Sequence, residues 1–78
     1  MTIMYILLKG DIVMTVFFTN NKDKKQIGIG KDIEECHEII TAFLNEKNYK
    51  SYYWRIAKYP DHEWIDVGSY TKFFEIWW

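Results

Sequence analysis

Few side chains in this chain are of types that do chemistry, and their spacing decides what each can do. Cys36 and His37 are neighbours. On a helix, adjacent side chains point about 100° apart, so the two do not converge on one metal ion. Cys36 falls on an apolar stripe and reads as a small core residue. His37 falls on the polar face and is expected in solvent, as are His62 and Glu63 at a hairpin tip. Glu63 and Asp66 lie three apart in a strand-like run, hence on opposite faces, which rules out a paired-carboxylate mechanism. Gly28-Ile29-Gly30-Lys31 precedes a helix start, where backbone N–H groups can hold an anion. A phosphate loop, however, needs Gly-x-x-x-x-Gly-Lys-Ser/Thr, and here Asp32 puts a negative charge where phosphate would sit. A glycine-assisted turn is the better account. No Ser, Cys or Lys stands with both a base and an orienting group. The chain is therefore expected to carry no catalytic residue, no metal site and no cofactor.

What it carries instead is aromatic surface. Aromatic residues make up 19% of the 78, with four Trp, six Tyr and five Phe. A small sheet with one helix cannot hide all of them on one face. Trp64 alternates with Ile65, and Phe73 and Trp77 alternate with Phe74, Ile76 and Trp78, so one of these sets must point away from the helix. Exposed aromatics mark interfaces. The residues expected to bind a partner are Tyr52, Trp54, Trp64, Tyr70, Phe73, Trp77 and Trp78. That partner is another protein, a second copy in a homodimer or, least favoured on charge balance, an RNA strand stacked on the sheet face. Ten Lys/Arg against eleven Asp/Glu give a net charge of -1. This lacks the basic excess that neutralises phosphates, so direct nucleic-acid binding is not expected; nor is the chain acidic enough to mimic DNA. Lys22, Lys24, Lys25 and Lys31 face an acidic Glu34, Glu35 and Glu38 patch one element later. They are either solvated faces or a dipolar surface that orients a partner. A single Cys cannot form an intramolecular disulfide, so stability comes from packing or oligomerisation.

The elements that must position these residues are legible from periodicity. Ile12 to Thr19 is β-branched and aromatic, Asn20-Asn21-Lys22-Asp23 has turn chemistry, and Lys25 to Ile29 returns as a short strand, which makes a β-hairpin. Asp32 followed by Glu35 forms a capping-box pattern, and Ile33, Cys36, Ile40, Phe43 and Leu44 recur at helical spacing. Asn45 to Asn48 is expected to fray the helix end. From Ser51 the period changes to two, with Tyr52, Trp54 and Ile56 on one face and Tyr53, Arg55 and Ala57 on the other. Tyr59-Pro60-Asp61-His62 reads as a β-turn, His62 to Val67 as the returning strand, Gly68-Ser69 as a break, and Lys72 to Trp78 as a last strand. The expected fold is α+β: a small antiparallel sheet, built from a hairpin, one helix and three strands, with the helix packed on one face. Length and composition allow a single domain over 1–78.

Residues 1–13 have two readings. Met1 to Leu8 is apolar and Lys9-Gly10-Asp11 is turn-like, which would add a further strand. At the level of the gene, one codon set for Lys9-Gly10-Asp11 contains a bacterial ribosome-binding sequence, which would make Met14 the natural start and 1–13 an over-extended frame. The apolar stretch lacks a positive leader and is stopped by Lys9 and Asp11, short of the roughly 18 residues of a membrane span. A cytoplasmic location without membrane contact is expected.

The run Glu63-Trp64-Ile65-Asp66-Val67-Gly68-Ser69-Tyr70-Thr71-Lys72-Phe73-Phe74-Glu75-Ile76 resembles a phrase of small accessory proteins of phages and prophages of low-GC Gram-positive bacteria. Its form is Trp-x-Asp, an aromatic or aliphatic residue, then Gly-Ser-x-Ser/Thr-x-Phe-Phe-x-Ile. The resemblance covers 63–76 alone. It implies a non-enzymatic viral protein that acts by binding a bacterial one, including inhibitors of CRISPR and other anti-phage defence systems. Two other functions remain open: a homo-oligomeric structural or accessory protein, and a small-ligand module that sequesters a nucleotide signal.

Overall fold

The computed structural model describes residues 13–78. The further strand, the Lys9-Gly10-Asp11 turn and the over-extended frame expected for the N-terminus fall outside these residues. The described chain is an antiparallel hairpin, a helix and three more antiparallel strands: β1 Met14–Asn20, β2 Asp23–Gly30, α1 Ile33–Lys47, β3 Arg55–Lys58, β4 His62–Asp66 and β5 Lys72–Trp77. The α+β class and the order of elements agree with the periodicity of the sequence.

Each element has a local cause. Asn20 pairs with Asp23 across a two-residue loop in which Asn21 takes a positive φ of 58°, a conformation that Asn tolerates. Asp32 caps α1 by accepting the Glu35 N–H at 2.8 Å, while Glu35 accepts the Lys31 N–H at 2.8 Å. The helix end does not fray as expected. It runs to Lys47 and stops at Asn48, a left-handed cap whose N–H meets the Asn45 carbonyl, with the Tyr49 N–H closing on Leu44. The Tyr59 N–H meets the His62 carbonyl at 2.9 Å, so the Pro60 turn joins β3 to β4.

The strands lie in the order β2-β1-β5-β4-β3. The last strand therefore sits at the centre, against β1 on one side and β4 on the other. Helix α1 carries the chain from the β2 edge to the β3 edge and packs on β2, β1 and β5. Cys36, Ile40 and Leu44 of the helix meet Val16, Phe18, Ile65, Phe74 and Ile76 of the sheet, with Val67 just past β4, and all are buried. Close approach of helix and hairpin requires glycine at 30, where a Cβ would stand 2.7 Å from the Cys36 Sγ. β2 carries a bulge opposite Val16 and Phe17, which turns Ile27 in towards the core.

One strand is shorter than the periodicity predicts. Ser51 to Trp54 is irregular, and β3 starts only at Arg55. The cause is in β4: it ends at Asp66, whose Oδ1 accepts the Gly68 N–H at 2.9 Å, and Gly68 turns the chain with φ 89°. Beyond Arg55 only the Tyr52 N–H still reaches a β4-side carbonyl, that of Val67.

Candidate functional site

Strand alternation sorts the sheet into two faces. Val16, Phe18, Ile65, Phe74 and Ile76 point to the helix; Phe17, Trp64, Phe73, Glu75 and Trp77 point the other way, where no described element covers them. On this outer face Trp64 and Phe73 lie with ring centroids 5.5 Å apart. Trp77 stacks on His62 at 4.0 Å, and His62 stacks in turn on Tyr59 at 4.6 Å. His62 is thus not the solvated hairpin-tip residue the sequence suggests. Between the rings sits one ion pair: Lys24 Nζ is 2.7 Å from Glu75 Oε1, 4.8 Å from the Phe17 centroid and 5.5 Å from that of Trp77. The Trp77 Nε1–H donates to the same Glu75 oxygen at 3.1 Å.

The seven expected interface residues separate into four places. Trp64, Phe73 and Trp77 share the outer face. Tyr52 and Tyr70 are exposed at one end of the molecule, lining a groove near the Gly68 turn. Trp78 is exposed by the β3–β4 turn, its Nε1–H donating to the Pro60 carbonyl at 3.1 Å. Trp54 is not on the outer face: it packs against the core edge, at right angles to His37 with centroids 5.5 Å apart. The irregular run before β3 breaks the alternation that would have grouped it with Tyr52.

A pairing that sequence reasoning missed joins α1 to β4. His37 Nε2 lies 2.9 Å from Glu63 Oε1. Facing a carboxylate, that nitrogen is the donor. Glu63 is 3% exposed, so neither residue is the solvated group expected from its local pattern. The only sequence signal was an acid at a core-facing strand position, in alternation with Trp64. An open groove runs alongside, lined by His37, Trp54 and the Glu34, Glu38 and Asn45 flank of the helix. The neighbouring Cys36 is sealed; burial pushes its thiol pKa up, which leaves it protonated and unreactive at neutral pH.

Two carboxylates on the sheet titrate low. The Gly68 N–H, and after it the Arg55 guanidinium, hold Asp66 below the usual carboxylate range despite its burial. Burial pushes Glu75 up, but the Lys24 ammonium and the Trp77 indole together outweigh it and bring the group down. The folded chain then binds fewer protons than the unfolded one, so this stability is present above the ordinary carboxylate pKa of about 4 and lost as pH falls through and below it. Asp66→Asn and Glu75→Gln are each expected to flatten the fall in urea midpoint between about pH 5 and pH 2. A fall as steep as that of the parent chain would discard the assignment.

Among the described residues no three His, Cys, Asp or Glu side chains gather as metal ligands, and no helix is long and apolar enough to cross a membrane. No family model, curated protein or solved structure matches the chain.

Proposed function

We propose that this chain is a non-enzymatic binding protein that inhibits or regulates a bacterial host or defence protein by covering part of its surface. The observation that carries the reading is the outer sheet face, where Phe17, Trp64, Phe73 and Trp77 stand side by side with no described element over them. Large, rigid rings gain contact area at little conformational cost, which is why Trp and Tyr dominate binding hot spots. The Lys24–Glu75 pair among them gives the face a polar register mark that a partner must match. Trp64 and Phe73 also belong to the 63–76 run that resembles phage accessory proteins, and this supports a host-directed role in the bacterial cytoplasm.

The test uses the tagged chain as bait in lysate of a Gram-positive host that carries defence systems, with the captured protein then purified for affinity measurement. One stoichiometric partner is expected. Trp64→Ala and Trp77→Ala chains that keep the parent circular dichroism spectrum should bind it about 30-fold more weakly or worse, the loss typical of a hot-spot residue. Folded variants that bind like the parent would remove the outer face from the interface. Recovery of the bait alone would replace the proposal with self-association.

A further inference from the structure

A groove of about 390 Å³ opens at the C-terminal end of α1, between the segment leaving the helix and the loop entering β5. Tyr49, Lys50 and Tyr52 line it from the first segment, and Ser69, Tyr70 and Lys72 from the second. Buried Leu44 and Val67 form its apolar base. We propose that this groove binds a nucleotide, with the base against tyrosine rings and the phosphate at the two lysines.

Four observations point to that ligand class. Tyr52 is 71% exposed and Tyr70 fully so, and among the described residues neither ring stacks on another aromatic group. Such rings offer free faces to a planar base. The described lining contains no carboxylate, and neither Lys50 nor Lys72 forms an ion pair among the described residues. Lys72 is nevertheless held at the groove, its Nζ 5.0 Å from the Tyr49 ring centroid. Ser69 Oγ accepts the Thr71 and Lys72 N–H groups at 3.3 and 3.2 Å, which leaves its hydroxyl hydrogen to donate to an anion.

The walls are set before any ligand arrives. Gly68 holds a φ of 89° that side chains rarely adopt, and a Cβ there would lie a tight 3.2 Å from both Tyr52 and Tyr53, so glycine favours this close approach of the loop to the tyrosines. The helix C-terminus would repel an anion, but its Leu44 and Asn45 carbonyls are taken by the Tyr49 and Asn48 N–H groups, and Lys47 lies in its last turn. The volume suits a mononucleotide, within the usual range of about 300–1,000 Å³ for small-molecule sites. The base and phosphate could belong to a free nucleotide or to one unit of a single strand.

Titration of the isotope-labelled chain, followed by amide NMR shifts, tests this. AMP is expected to shift amides within 48–52 and 68–72, with adenosine and inorganic phosphate each binding about tenfold more weakly. A chain with both Lys50→Glu and Lys72→Glu should lose about tenfold or more in AMP affinity, and so should Tyr52→Ala, with the circular dichroism spectrum unchanged. A short single-stranded oligonucleotide that binds more tightly than AMP through the same amides would name a strand as the source; equal or weaker binding names the free nucleotide. The proposal is overturned if AMP, GMP, UMP and the oligonucleotide all leave these amides unmoved, if phosphate alone binds as well as AMP, or if charge reversal changes nothing. None of these measurements involves Trp64 or Trp77, so the groove and the outer face stand or fall separately.

Discussion

Phe74→Ala is expected to bring the domain to the edge of unfolding at 25 °C. Phe74 is 0% exposed and sits on the central strand, in register with Phe18 of β1 and Ile65 of β4. Its ring lies 5.2 Å from that of Phe18 and 5.9 Å, edge-on, from that of Phe43 on the helix. It joins both strand neighbours to α1 in one cluster. Truncation removes its transfer energy and leaves a cavity, together about 3–5 kcal/mol. A domain of this length holds on the order of 4–12 kcal/mol in all. Urea unfolding followed by tryptophan fluorescence should show a midpoint lowered by about 2 M or more at unchanged slope. Phe73→Ala, one residue away on the outer face, removes a half-buried ring and should lower the midpoint by clearly less. Equal losses would mean that the outer aromatics are core rather than surface, and would undercut the proposed interface as well.

The second large effect is expected at His37. With Glu63 only 3% exposed, His37→Ala strands a carboxylate beneath the helix with its hydrogen-bond partner gone. Breaking such a pair costs about 3 kcal/mol, because the desolvation of the remaining group is no longer offset. Replacing both partners together is a different matter. A His37→Leu/Glu63→Met chain fills the same space without a polar group to satisfy and should stay within about 1 kcal/mol of the parent. The double-mutant cycle built from His37→Leu, Glu63→Met and their combination should therefore show a coupling of about 2 kcal/mol. Single losses that simply add up in the double variant would show that the 2.9 Å contact does not hold helix and sheet together.

The two residues of that contact show where local reasoning stops. His37 lies between Cys36 and Glu38 on a helix whose apolar stripe it does not join, and Glu63 follows a turn, so each taken alone belongs in solvent. They meet only because the sheet order sets β4 beside β5, near enough to α1 for Glu63 on its core-facing side to reach His37. Trp54 illustrates the same limit from another side. Period two groups it with Tyr52 and Ile56, but Asp66 caps Gly68, β4 ends, and the run before Arg55 loses its ladder. Trp54 is then free to turn against His37 and the core. The aromatic set read as one interface consequently occupies four separate places.

What the chain dictates residue by residue did emerge from its sequence. The Asp32–Glu35 cap, the stripe through Cys36, Ile40 and Leu44, the Asn21 and Pro60 turns, and the alternation of Trp64 with Ile65 and of Phe73 with Phe74 all rest on interactions within a few residues, with periods of 3.6 or 2. These were enough for the α+β class and for two opposed sets of aromatics. The strand order, the central place of β5, the face the helix covers and the burial of Glu63 were decided by tertiary structure. Alternating apolar strands satisfy their own pattern in several sheet orders, and only contacts between distant segments, with the loop-closure entropy they must overcome, select one. The outer aromatic face and the tyrosine–lysine groove both follow from that selection, since each is assembled from elements that are far apart in the chain.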